Sequence, residues 1–141
     1  MTRLKGWQLP LRAVTGAFIL DQGLSKRGAE GEQASQLHGM AASAFPQVED
    51  LDAEQFVRLL SAAEISLGTA LLLPVIPPAL AGAALTAFAA GLVRLYLNTP
   101  GMREEGSLRP TMQGMAVAKD SWMLAIGAAL LLDTVADRRR R

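Results

Sequence analysis

The chain has 141 residues, of which 50% are hydrophobic and 19% charged; the net charge is +1 and there is no cysteine. The absence of cysteine removes disulfide frameworks, thiolate metal sites, iron–sulfur clusters and thiol nucleophiles, and the balanced charge argues against a general nucleic-acid binder, which needs a basic surplus. One domain fits the length, and the apolar content argues against disorder, but a mean hydropathy of +0.23 lies between soluble and membrane proteins, so the positions of the charges must decide.

The first candidate element covers about residues 8–25. Pro10 to Leu24 is apolar except for Arg12 and Asp21. A basic start at Arg3 and Lys5 followed by a short apolar run resembles a signal peptide. Arg12 interrupts the run, and no small-x-small cleavage site follows Leu20, so an uncleaved first span is the expectation. The outer loop that follows, 26–53, is too long for a plain turn. Within it Ala34, Leu37, Met40, Ala41 and Ala44 recur at helical spacing, with Glu32, Gln33, Gln36 and Ser43 between them. This predicts a short amphipathic helix ended by Pro46, either a lid over the bundle or a connector with an apolar face. His38, the only histidine, has no ligand partners at matching spacing, so no metal site is expected.

Residues 65–93 carry no charge at all. As one helix they would extend about 43 Å against a hydrocarbon core of about 30 Å. Pro74, Pro77 and Pro78 interrupt the stretch, and proline both removes a helix donor and clashes with the preceding turn. The reading is two spans, about 54–73 and 78–97, joined by a tight turn at Leu73 to Pro78; the alternatives are one kinked span or a buried soluble hairpin. Asp52 with Gln55 forms a capping-box pattern at the start of the second span. Asn98-Thr99-Pro100-Gly101 ends the third and opens an outer loop, 98–111. A fourth candidate, about 112–132, is apolar except for Lys119 and Asp120, with Thr111 as its cap. Trp7 and Tyr96 are candidate interfacial anchors, whereas Trp122 is placed within the bundle. The expected fold is an all-α, four-helix integral membrane bundle.

An even number of spans puts both termini on one side. Arg3, Lys5 and the tail Arg138 to Arg141 outnumber Lys26, Arg27, Arg103 and Arg109 of the outer loops, which predicts cytoplasmic termini. Charges at membrane depth are costly and normally face the bundle interior in pairs. Arg58, Arg94 and Lys119 balance Asp21, Glu64 and Asp120 in the outer half. Glu64, Arg94, Lys119 and Asp120 form the candidate polar cluster, with Asp21 and Arg58 peripheral. The proposed pairs are Lys119 with Glu64 and Asp120 with Arg94. Such a cluster serves either as a structural lock or as a polar pocket. Two ridges of small residues, Ala83, Ala87 and Gly91 and Ala62, Ser66 and Ala70, favour close helix packing and allow a homo-oligomer.

Leu11-Arg12-Ala13-Val14-Thr15-Gly16-Ala17-Phe18-Ile19-Leu20, leading to Gly23 and Lys26, resembles the first helix of the DoxX family. Ala63-Glu64-Ile65-Ser66-Leu67-Gly68 resembles its second, and Asp120 matches an acidic position in its fourth. The stretch Ala118-Lys119-Asp120-Ser121-Trp122 is similar to a bacterial subgroup of that family. The resemblance implies a four-helix protein of the bacterial inner membrane, associated with quinone-linked redox systems. It implies no fixed catalytic set. No nucleotide-binding, P-loop or serine-hydrolase motif is present in the sequence. The functional expectation is a non-catalytic or partner-dependent subunit, with the bilayer, a redox partner and a quinone as its associates. A lipid or small-molecule carrier and a ligand-free scaffold are the alternatives.

Overall fold

The computed structural model describes residues 4–140. Its helices are α1 (Gln8–Lys26), α2 (Gly31–Ala44), α3 (Ala53–Leu72), α4 (Pro78–Asn98), α5 (Met115–Lys119) and α6 (Ser121–Arg139). Among the described residues the only strand-like pairing is an isolated bridge between Arg103 and Pro110. Arg3 and Arg141 lie outside the described residues.

Three helical segments are long and apolar enough to cross a membrane: Ala53–Leu72, Pro78–Asn98 and Met115–Arg139. α1 has 19 residues but keeps Arg12 and Asp21 within them. The predicted proline turn is present: α3 ends at Leu72, Leu73 caps it, and Pro78 is the first residue of α4. Proline is tolerated there because the first turn of a helix lacks donors' partners in any case. Asp52 accepts from the Gln55 backbone N–H at 3.3 Å and starts α3.

The fourth segment differs from expectation. It starts at Met115 rather than 112 and runs to Arg139, seven residues further than predicted from apolarity. Asp133 and Asp137 are accommodated because Lys5 bonds both, at 2.7 and 2.9 Å. Thr111 does not cap this helix. Its hydroxyl accepts from the Gly114 N–H at 3.1 Å, which fixes the turn before it. At Asp120 the helix tightens into three-residue bonds, Asp120 N–H to Val117 and Met123 N–H to the Asp120 carbonyl, and a kink separates α5 from α6.

The helices pack as two intimate antiparallel pairs, α1 with α3 and α4 with α6, and the two pairs meet each other only sparsely. Each pair closes on glycine. A Cβ on Gly68 would lie 2.6 Å from the Leu20 nitrogen, and one on Gly23 would lie 2.8 Å from the Ile65 nitrogen. Ser61, buried, donates to the Gly23 carbonyl at 2.7 Å. Gly16 and Gly23 thus face Gly68 and Ser61, small residues seven apart on both helices, which keeps them on one seam of a shallow crossing. In the second pair Gly127 abuts Thr86 and Gly82 abuts Leu130. The predicted small ridges are not the ones used: Ala62, Ser66, Ala83 and Ala87 are exposed. Trp122, expected inside, is 68% exposed, and Val14, Leu80 and Leu132 are exposed as well. An apolar exterior of this kind suits contact with lipid rather than water.

α2 forms as predicted and bridges the two pairs, packing on both α3 and α4. Ala34 and Ala44 of its apolar stripe are buried. His38 is half-buried, with Nε2 2.6 Å from the Val48 carbonyl and its ring 5.5 Å from that of Phe56. Tyr96, expected at the interface, is buried and donates to the Leu108 carbonyl at 2.7 Å, pinning the second loop.

Candidate functional site: an aromatic cavity beside a lysine and two carboxylates

Because the two pairs touch sparsely, a cavity of about 630 Å³ remains between them, covered by α2. Its lining comes from every element named above. Phe18, Gln22 and Lys26 follow one another every fourth residue on α1, and Phe56, Leu60 and Glu64 do the same on α3. A step of four keeps side chains on one helix face, so each helix offers an aromatic ring at one level and a charge two turns on. α4 contributes Phe88 and Leu92, α2 contributes Leu37 and Met40, and Phe45 follows α2. Asp120 and Met123 line it from the kinked segment. The kink thus coincides with the point where a carboxylate enters the wall.

The polar part of the lining is small. Lys26 Nζ lies 3.0 Å from each Glu64 oxygen, a two-pronged ion pair with Glu64 5% exposed. Asp120 lines the same cavity as Lys26 and Glu64, and among the described residues no side chain hydrogen-bonds its carboxylate. One ammonium therefore faces two carboxylates in an apolar setting, where a charge without a partner is costly.

The expected pairings are corrected on this geometry. Glu64 pairs with Lys26, not Lys119; Lys119 is exposed and lies outside the cavity wall. Arg94 does not pair with Asp120. Its Nε donates to the Ala44 carbonyl at 3.0 Å and its guanidinium stands 4.9 Å from the centre of the Phe45 ring. That places a cation on the last turn of α2, where carbonyls lack partners. Asp21 and Arg58 are exposed, and Arg58 reaches only the Glu54 carbonyl. Of the six charges, Glu64 and Asp120 are brought together. Lys26, read from sequence as a loop charge, completes the group. Among the described residues no set of histidine and acidic side chains has a metal-binding arrangement.

A second buried charge has a different environment. Arg12 is 2% exposed, and its guanidinium donates to the carbonyls of Ala70, Leu71, Leu73 and Ile76 at 2.9–3.0 Å. It satisfies the end of α3 and the proline turn, where proline and helix termination leave acceptors unpaired. Four of its five N–H donors are spent on backbone carbonyls. No protein family, curated protein or solved structure matched the chain.

Proposed function

We propose that this chain is a four-span, DoxX-like protein of the bacterial inner membrane that binds an amphipathic molecule in the cavity between its helix pairs. α1 serves as the fourth span, its Arg12 neutralised by carbonyls as a lipid environment requires. The binding reading is carried by one observation: the cavity of about 630 Å³ is apolar over most of its wall and meets Lys26, Glu64 and Asp120 at one place. Small-molecule sites have this form, an apolar body with a few convergent polar groups. A rigid scaffold has no use for an open space between its packed pairs, and its salt bridge would work as well in a closed core. In this reading the protein presents or holds its ligand and leaves chemistry to a partner subunit. A quinone is the ligand that the family resemblance adds to the candidates, since its ring carries polar oxygens and its tail is apolar.

The test is native mass spectrometry of the chain extracted from bacterial membranes, followed by titration with a short-tailed ubiquinone. A stoichiometric small-molecule adduct, displaced by the quinone or by another amphiphile, is the expected result. Protein that emerges empty and binds neither contradicts the reading. Topology is tested on the cysteine-free background. Gln47→Cys and Glu105→Cys should react with an impermeant maleimide on intact spheroplasts, and Gly6→Cys only after lysis. The reverse pattern overturns the orientation.

A further inference from the structure

Two features of the cavity point to the nature of its ligand, one to its body and one to its charge. The first concerns aromatics. The chain has four phenylalanines, and all four, Phe18, Phe45, Phe56 and Phe88, line this one cavity. They come from α1, the end of α2, α3 and α4, so no local periodicity groups them; the fold does. Their rings offer an apolar ligand body a large contact area, and one face of Phe45 is already taken by Arg94, 4.9 Å from its centre.

The second is the charge count. Lys26 is taken up by Glu64, both of whose oxygens lie at 3.0 Å from it. Asp120 borders the same cavity with no side-chain hydrogen bond among the described residues. The other charged residues of the cavity wall are Lys26 and Glu64, one of each sign. With both carboxyls ionised, the three groups carry one net negative charge. A neutral guest leaves that excess in place, an anionic guest doubles it, and a cationic guest cancels it.

We infer that the cavity takes a lipophilic organic cation, an ammonium compound with one apolar body, its positive head at Asp120 and its body among the four phenylalanines. This rests on the cavity being a binding site, as proposed above. It goes further by fixing the sign of the ligand's charge and the residue that reads it. Asp120 is the specificity-determining group, and Lys26 with Glu64 is the neutral neighbour that keeps a second cation out.

The experiment compares three probes of one chain length, decylamine, decanol and decanoate, by calorimetric titration of the detergent-solubilised full chain at about pH 7.5, where the amine is charged. Decylammonium is expected to bind at least roughly tenfold more tightly than decanol, with decanoate weakest. Asp120→Asn should reduce decylammonium binding to the level of decanol without altering decanol itself. Because partition into micelles is common to both proteins, the difference between them reports the site. Phe88→Leu gives a second reading that leaves the carboxylate untouched: it should weaken decylammonium and decanol by similar factors and keep the preference for the amine, and a loss of that preference would overturn Asp120 as the group that reads the charge. Equal binding of amine and alcohol by the unaltered chain overturns the inference and leaves the cavity as a neutral amphiphile site. Tighter binding of decanoate also overturns it and makes Lys26 the reading group. If no probe binds, this inference fails, and the binding function then stands or falls on the native mass spectrometry and quinone titration above.

Discussion

Two charged regions lie within the helical bundle, and they solve the same problem in opposite ways. Arg12 meets four backbone carbonyls, which take four of its five N–H donors. Lys26, Glu64 and Asp120 sit at the edge of a cavity with one carboxylate in excess. The first arrangement completes the backbone bonding of a proline turn and asks for nothing from outside. The second leaves a demand that a ligand can meet. A buried charge in an apolar bundle is thus a functional signal only after its partners are counted. A saturated charge holds structure, and an unsaturated charge beside empty space marks a site.

The largest effect that separates the two regions should come from Arg12. Arg12→Met leaves four carbonyls without donors and should cost about 3–5 kcal/mol. Thermal unfolding in detergent checks this, and protein that still folds should keep its cavity ligand. A loss under about 1 kcal/mol would break the distinction from the structural side. Lys26→Met comes next. It strands two carboxylates together and should cost about 1–3 kcal/mol, most of it regained when Glu64→Leu is added. If the double variant is no better than the single, the ion pair is not what balances the site.

A smaller effect concerns the cover. Arg94 and the Ser43 hydroxyl, 3.2 Å from that of Thr99, tie the end of α2 to α4. Arg94→Ala should raise hydrogen exchange across residues 31–45 by about the factor that 1 kcal/mol allows, and leave α1 and α3 unchanged. Uniform exchange throughout the chain would mean that α2 is not a separately held lid. The smallest effect belongs to Lys5 outside the bundle, whose ammonium is held above its ordinary value of 10.5 by hydrogen bonds from its Nζ to Asp133 and Asp137. A raised value on a base means that its contribution is fully present below pH 10.5 and is lost as pH climbs through the folded-state value. Lys5→Ala should therefore lower the melting temperature slightly at about pH 7, and the difference should vanish only in strong alkali. A difference that grows with pH contradicts the ion pair.

Much of the fold was legible because long-range charge absence and proline are strong local signals. The boundaries at Leu72 and Pro78 follow from the uncharged stretch and its prolines, and the apolar stripe of α2 follows from its spacing. Glu64 and Asp120 were visible as charges stranded among apolar residues. Lys26 was not, because α1 runs one residue past the expected end of its span. A lysine there can still fold its four-carbon stem back to Glu64. Lys119 was misplaced by its neighbour: adjacent residues on a helix diverge by about 100°, so only one of Lys119 and Asp120 can face the cavity. The packing seam was hidden for another reason. Small residues are common along these helices, and only the crossing geometry selects Gly16, Gly23, Ser61 and Gly68 over Ala62, Ser66, Ala83 and Ala87. The aromatic cavity likewise has no local signature, although the step of four linking Phe18 to Lys26 and Phe56 to Glu64 is readable once the two helices are paired.

Photolabelling offers the most direct test of the claim that the unsaturated charges mark a ligand site. A decylamine bearing a diazirine on its chain would be irradiated with the full-length protein in detergent and the adducts mapped by peptide mass spectrometry. The account predicts saturable labelling at the cavity wall, at residues such as Phe18, Phe88 and Met123, that is displaced by unlabelled decylamine. Labelling confined to outward-facing side chains such as Val14, Leu80 and Trp122, growing linearly with probe, would contradict it.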